Sequence, residues 1–421
     1  MIKILSGASQ IITVDTHGTN VKRGNDLNDV GLLTGYAVVI EDEIIKDIIP
    51  ESSVKNYTAE EIIDLKDKII LPGLIECHTH AAFAGSRANE FREKLKGTNY
   101  EEIDRLGGGI NSTVNAVRNS AIDELIKIIF PRVEYFISQG VTTLEIKSGY
   151  GLDFENEIKL LKAINYLNDN FPIDIIPTFL GAHTFPREFK TDHDGYIKIL
   201  TRELIPYISR NNVNGKLKKL AAFCDGYCEL TAFSPEEITK IFSTAKKFNM
   251  DIRLHTDQFN SIGGIDAALN LGAVSVDHLE VIKNEDIVKL GTSDIVCVLL
   301  PGSSFFLNHK YAPARDLINN NAVVALSTDY NPGSSNISNL NLIMSLAALK
   351  MGMTIEETIS AVTINAAKAL KANQYCGSIE IGKIADLSIF DTCDYADILY
   401  NVGKNLTYMT IKNGDVVYIS D

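Results

Sequence analysis

Between residues 74 and 327 eight short apolar runs recur, separated by longer segments, several with helical spacing, and that alternation constrains the fold more than any other feature of the chain. The runs are Leu74–His80, Thr142–Lys147, Ile173–Gly181, Leu220–Cys224, Ile252–His255, Val274–His278, Ile295–Leu300 and Val323–Ser327. Short continuous apolar runs suit strands buried on both faces of a parallel sheet. Thr113–Ser138, Glu155–Asn170, Pro235–Asn249 and Ile337–Met351 carry apolar residues at helical spacing. Ser234-Pro235-Glu236-Glu237 has the pattern of a helix start, with Ser as cap, Pro in the first turn and acids at the positive end of the dipole. Strand and helix in eightfold alternation predict an α/β protein built on a (β/α)8 TIM-like barrel. A doubly wound open sheet is the alternative that strand counting leaves open. The polar residues favour the barrel, because nearly every His or Asp of interest closes a predicted strand, and on different strands.

The flanks read differently. Ala37–Ile49 is a pair of short strands about a Glu41-Asp42-Glu43 turn, and Asp386–Phe390 and Met409–Tyr418 repeat that style, with Asn413-Gly414 as a type I′ hairpin turn. The two ends are therefore expected to form one small β-sandwich domain, residues 1–72 plus 370–421, beside a barrel catalytic domain of residues 73–369.

Charge narrows the partners. Lys and Arg number 40 against 54 Asp and Glu, a formal charge of −14 with no long basic block. Nucleic acid and anionic membrane surfaces are thereby disfavoured. No run approaches the roughly 18 apolar residues of a membrane span, and the start lacks a signal-peptide h-region, so a cytoplasmic location is expected. Six cysteines are too few for a disulfide framework at this length. Cys224 and Cys228 lack the second pair that a metal clip needs.

His78-Thr79-His80 ends the first run, and alternate strand residues share a side, so both imidazoles can face one point at the barrel mouth. Such a pair suits a divalent ion, but alone it reads equally well as two partly buried histidines. His255 ends the fifth run, His278 ends the sixth, and Asp329 follows the eighth. On strands one, five, six and eight of a barrel, all five side chains meet at one end.

These residues resemble the amidohydrolase superfamily over essentially the whole chain, and within it the imidazolonepropionase family. The motifs that carry the closer resemblance are Ala84–Phe91, Tyr100–Ile103 with Gly107–Ile110, Glu145–Leu152, Thr178–His183, Leu254–Gln258, Leu299–Gly302 and Ser327–Ser335. The resemblance implies one Zn2+ or Fe ion per chain, held by His78, His80, His255 and Asp329. It implies His278 as a catalytic group beside the ion, taking a proton from water or stabilising an oxyanion, and Asp329 as the group that passes a proton to the leaving nitrogen. It further implies Arg87, Tyr150, His183, Gln258 and Ser334 around the substrate, with Tyr150, Asn331 and Gly333 around the product. Arg87 supplies the planar fork that suits a carboxylate.

Some members of that family have Glu where this chain has Gln258. An amide does not titrate, so His278 and Asp329 must carry the proton traffic here. Lys147 lies on the second strand, whereas the carbamylated lysine of two-metal amidohydrolases lies on the fourth, where only Lys218 and Lys219 stand, so one metal is expected. His17, His193 and His309 receive no role. The reaction implied is hydrolysis of the cyclic amide of 4-imidazolone-5-propanoate to N-formimidoyl-L-glutamate. A nucleobase-type deaminase on the same scaffold is the second reading and a non-catalytic barrel the third. A homodimer is expected by analogy with other barrels carrying a flanking β domain.

Overall fold

The computed structural model describes residues 1–97, 108–210, 212–213, 216–217 and 219–420. Eight parallel strands occur in chain order: β1 Leu74–Glu76, β2 Val141–Lys147, β3 Asp174–Ala182, β4 Phe223–Cys228, β5 Asp251–Thr256, β6 Ser275–His278, β7 Val296–Leu299 and β8 Val323–Leu326. Each pairs with the next through parallel ladders. Just beyond their ends β1 and β8 meet: Thr79 bridges Tyr330, His80 N–H donates to Tyr330 O at 3.0 Å, and Asp329 N–H donates to His78 O at 3.2 Å. Glu76 reinforces the junction, its buried carboxylate accepting from His78 N–H, Thr328 N–H and the Ser327 hydroxyl. The curled sheet with its surrounding helices is the expected barrel, and the strands are almost wholly buried because helices cover their outer face.

Four boundaries differ from expectation. The first strand ends at Glu76, and His78–His80 continues as extended chain between the ends of β2 and β8. The fourth strand lies at Phe223–Cys228, displaced from Leu220–Cys224. Asp225 and Gly226 look loop-like in sequence, but Asp225 is paired inside the barrel, and Gly226 leaves room for Ile238, whose Cδ1 would stand 2.7 Å from a Cβ there. The long segment Thr113–Ser138 is two helices, Ile110–Asn119 and Ile122–Ile137. Lys159 Nζ stabilises the break by donating to the carbonyls of Val117, Arg118 and Ser120. The helix expected from Ile337 begins at Leu340, capped by Asn339. The Ser234 start is a full capping box, with Ser234 and Glu237 bonded reciprocally.

The ends of the chain form two facing sheets. One has four strands, in the order Ile44–Pro50, Tyr36–Glu41, Ile2–Ser6, Glu61–Asp64. The other has six, in the order Asp415–Ile419, Thr407–Lys412, Leu387–Phe390, Ile69–Pro72, Gln10–Ile12, Leu32–Leu33. Their apolar faces share a core that includes Leu5, Ile11, Val38, Ile70, Leu387 and Met409. Asn413 and Gly414 have φ of 52° and 76°, the left-handed pair a type I′ turn requires. Ile69–Pro72 leads into β1, so the sandwich anchors the strand that runs into the segment carrying the first two histidines. All six cysteines are free. Among the described residues no helix is long and apolar enough to cross a membrane. Tyr100–Ile103, Gly107 and Lys218 lie outside the described residues.

Candidate active site

The C-terminal ends of β1, β5, β6 and β8 converge on one buried cluster. His78 and His255 rings stand 4.5 Å apart between centroids, His78 and His80 5.5 Å, and His255 and His278 5.6 Å. Asp329 Oδ1 lies 3.5 Å from His78 Nε2 and 3.4 Å from His80 Nε2, and His80 Nε2 lies 3.4 Å from His255 Nε2. Ligand atoms on one tetrahedral zinc, with bonds of 2.0 to 2.1 Å, stand about 3.3 Å from one another. The donor set therefore has the spacing of a metal centre. His78 Nε2 is fully buried and has no hydrogen-bond partner among the described residues, a costly state unless an ion takes the lone pair. Burial pushes the His255 pKa down to about 3 and lowers that of His80, so both imidazoles are neutral, the form that binds metal. Burial works against the charge on Asp329, but the adjacent imidazoles of His78 and His80 and the charge of His278 hold its pKa well below the usual range. The residues fit a bound divalent ion.

Two of these imidazoles are tied down from behind. His78 Nδ1 donates to Asp277 Oδ2 at 2.6 Å, and His255 Nδ1 to Asp225 Oδ1 at 3.0 Å. Neither carboxylate was singled out from sequence. The available signal is a charge inside an apolar strand, as in Val276-Asp277-His278, which a soluble strand keeps only when the charge is paired. His278 closes β6 with φ at 89°, and Leu279 follows at 72°, left-handed conformations that bulky residues rarely adopt. That turn brings Glu280 Oε1 to 3.2 Å from His278 Nδ1. Burial alone would lower the His278 pKa, but Glu280, with Asp329 and Asp277, outweighs it and raises it to about 9.

A cavity of about 770 Å³ opens above the cluster. His80, His255, His278 and Asp329 form its floor, whereas His78 lies beneath it. Every substrate residue expected from sequence lines this cavity: Arg87, Tyr150, His183, Gln258, Asn331, Gly333 and Ser334. Arg87 Nε donates to Glu90 at 2.8 Å, and the guanidinium lies across Gly333, where a Cβ would overlap Nη1 and stand 3.1 Å from Cζ. His183 donates from Nδ1 to Gly149 O at 2.9 Å, so its Nε2 is left as an acceptor. Its ring stacks on His80 at 5.1 Å. Gln258 Oε1 accepts from the Tyr227 hydroxyl at 2.8 Å. Asn331 is largely spent on its own loop, its Oδ1 accepting from Gly333 and Ser334 N–H and its Nδ2 donating to Asp329 O. His309 stands against Phe259 at the cavity edge, His17 is exposed, and His193 stacks on Phe185.

The amidohydrolase family profile matches residues 69–417. The imidazolonepropionase of Thermoanaerobacter pseudethanolicus is 43% identical over 390 residues, 93% of this chain and 92% of that protein. That of Clostridium tetani is 40% identical over 99% of this chain and 98% of its own length, and that of Geobacillus thermodenitrificans 40% identical over 97% and 96%. Among solved structures, a zinc-bound adenosine deaminase from Xanthomonas campestris superposes with a TM-score of 0.71 at 15% identity, covering all of this chain and 94% of that one. A guanine deaminase from E. coli gives 0.71 at 14% identity, with both chains fully covered. These distant structures share the fold alone. With near full-length kinship at about 40% identity and the histidine cluster at the barrel mouth, the chain is a hydrolytic enzyme of the amidohydrolase family and belongs, within it, to the imidazolonepropionases.

Proposed function

We propose that the chain hydrolyses the ring amide of 4-imidazolone-5-propanoate to N-formimidoyl-L-glutamate, with one Zn2+ or Fe ion held by His78, His80, His255 and Asp329. The observation that carries the site assignment is that the donor cluster and the Arg87 guanidinium face the same cavity, as a substrate with a reactive ring and a carboxylate tail demands. An ion in that site supplies Lewis acidity, which makes water a nucleophile at neutral pH and polarises a carbonyl.

The chain's own residues do the rest. Arg87 binds the propanoate tail, and Tyr150, His183, Gln258 and Ser334 orient the ring by hydrogen bonds. Glu280 keeps His278 Nδ1 occupied, so Nε2 is the nitrogen offered to the cavity. From there His278 stabilises the oxyanion that forms when water adds to the ring carbonyl. Asp329 takes a proton from the attacking water and delivers it to the ring nitrogen as the C–N bond breaks, so one water is consumed and no ammonia leaves. In this reading residues 73–369 are the catalytic domain and 1–72 with 370–421 the composite β domain. The six free thiols suit a reducing cytoplasm, and the working unit is a homodimer.

The test is turnover of freshly generated imidazolone propanoate by metal-quantified protein. Ring-opened product without ammonia is expected, abolished by chelation and restored by Zn2+ or Fe2+. Stoichiometric ammonia would instead establish a deaminase.

A further inference from the structure

Beneath the histidines the barrel interior holds charges where branched apolar residues are the usual filling. Lys147, Glu145, Asp225, Arg253 and Asp277 are all fully buried. They form one pair and one triad. Arg253 Nη2 donates to Asp277 Oδ2 at 3.1 Å, and its Nε donates to Ser275 Oγ at 3.0 Å. Lys147 Nζ lies 3.0 Å from Asp225 Oδ2 and 2.9 Å from Glu145 Oε1. Above each of the two groups lies an imidazole: Asp277 accepts from His78, and Asp225 accepts from His255.

We infer that Asp277 and Asp225 are positioning residues that fix the ring orientation and tautomer of His78 and His255 toward the metal, and that Arg253 and Lys147 are retained as their counter-charges. This rests on the metal site of the proposed function. A carboxylate that accepts from Nδ1–H leaves the lone pair on Nε2, the nitrogen that faces the donor cluster; the other tautomer would put a proton there. A carboxylate in that position is buried, and a buried carboxylate without a partner is far more costly than a pair. An apolar layer of equal volume would serve stability at least as well as these groups, so their presence calls for a role that an apolar layer cannot fill. The third imidazole shows that such support is not general in this site: His80 Nδ1 is buried with no hydrogen-bond partner among the described residues.

The experiment removes a pair together. Arg253→Met/Asp277→Leu, Arg253→Met/Asp277→Asn, Asp277→Asn and wild type are compared for Zn2+ affinity by chelator competition, for the visible spectrum of the Co2+ form and for unfolding of the ion-free protein. The Met/Leu variant is expected to fold with near wild-type stability, yet to bind Zn2+ about 10 to 100 times more weakly and to show an altered cobalt spectrum. The Met/Asn variant, which keeps an acceptor oxygen, should fall between it and wild type. Wild-type Zn2+ affinity and an unchanged cobalt spectrum in the Met/Leu variant overturn the inference. Should that variant fail to fold, unchanged Zn2+ affinity in Asp277→Asn overturns it equally. Wild type that takes up neither Zn2+, Fe2+ nor Co2+ refutes the metal reading itself, a result distinct from equal binding by all variants.

Discussion

Gly333→Ala tests the carboxylate subsite without touching a charge. Gly333 has no side chain to obstruct the Arg87 guanidinium, and a methyl group there would overlap Nη1 and lie 3.1 Å from Cζ, well inside the roughly 3.5 to 4 Å of a relaxed contact. Gly333 is not among the glycines with positive φ, so the backbone accepts alanine and the strain falls on the end of the arginine. Arg87 must swing off the glycine, and with it goes the fork that meets the substrate carboxylate. A hydrogen bond to a charged group contributes about 1.5 to 3 kcal/mol, which corresponds to a loss of roughly 10- to 150-fold in kcat/KM. The loss should fall mainly on KM, because the tail is bound equally in ground and transition states. Steady-state kinetics of Gly333→Ala, Arg87→Met and the double variant form the assay. If the glycine acts through the arginine, the double variant is no worse than Arg87→Met. Wild-type KM in Gly333→Ala, or additive losses in the double variant, would refute the reasoning.

Three further outcomes are expected. His278→Ala should lower kcat by about 100-fold or more while the metal content per chain is unchanged; coupled loss of metal would make His278 a ligand. Glu157 accepts from the N–H groups of Gly149, Gly151 and Leu152 and so holds the loop that presents Tyr150. Glu157→Ala should cost about 3 kcal/mol by urea unfolding and raise KM, and an unchanged unfolding midpoint would sink that role. In the β sandwich, burial raises the Glu380 pKa, but hydrogen bonds from Ser378 and Lys383 outweigh it and bring it from 4.5 to about 2. The stability it contributes is therefore complete above about 4.5 and is lost as pH falls toward 2. Glu380→Gln should lose less stability than wild type between pH 5 and 3, and equal losses would count against the assignment.

The barrel and the cluster at its mouth were legible because both depend on short-range pattern. Eight apolar runs announce buried parallel strands, and a histidine or aspartate at the end of such a run has few places to point other than the mouth. What escaped depends on pairing between strands far apart in sequence. Asp277 meets His78 across 199 positions, and Asp225 meets Lys147 on another strand. Nothing local distinguishes Asp225 from a turn residue, so the apolar-run criterion placed β4 three residues early at its start and ended it one residue before the aspartate. Ser120 looked compatible with a continuing helix until Lys159, from a later helix, supplied the donors that end it.

The same long-range pairing accounts for how a site made of loop ends keeps its shape. Three of the segments that carry site residues are pinned by a buried acid from elsewhere in the chain. Glu145 accepts from Thr79 N–H, between the two ligand histidines. Glu76 accepts from Thr328 N–H, next to Asp329. Glu229 accepts from Phe259 and Asn260 N–H at 3.0 Å, just past Gln258. Carboxylates can serve there because each satisfies backbone donors that the end of a strand leaves unpaired, which offsets the cost of burying them. A neutral apolar residue at any of these positions would leave those donors without their acceptor and a catalytic loop free to shift by the ångström that chemistry cannot tolerate. The acidic residues inside this barrel are therefore as much a part of the site as the histidines they hold in place.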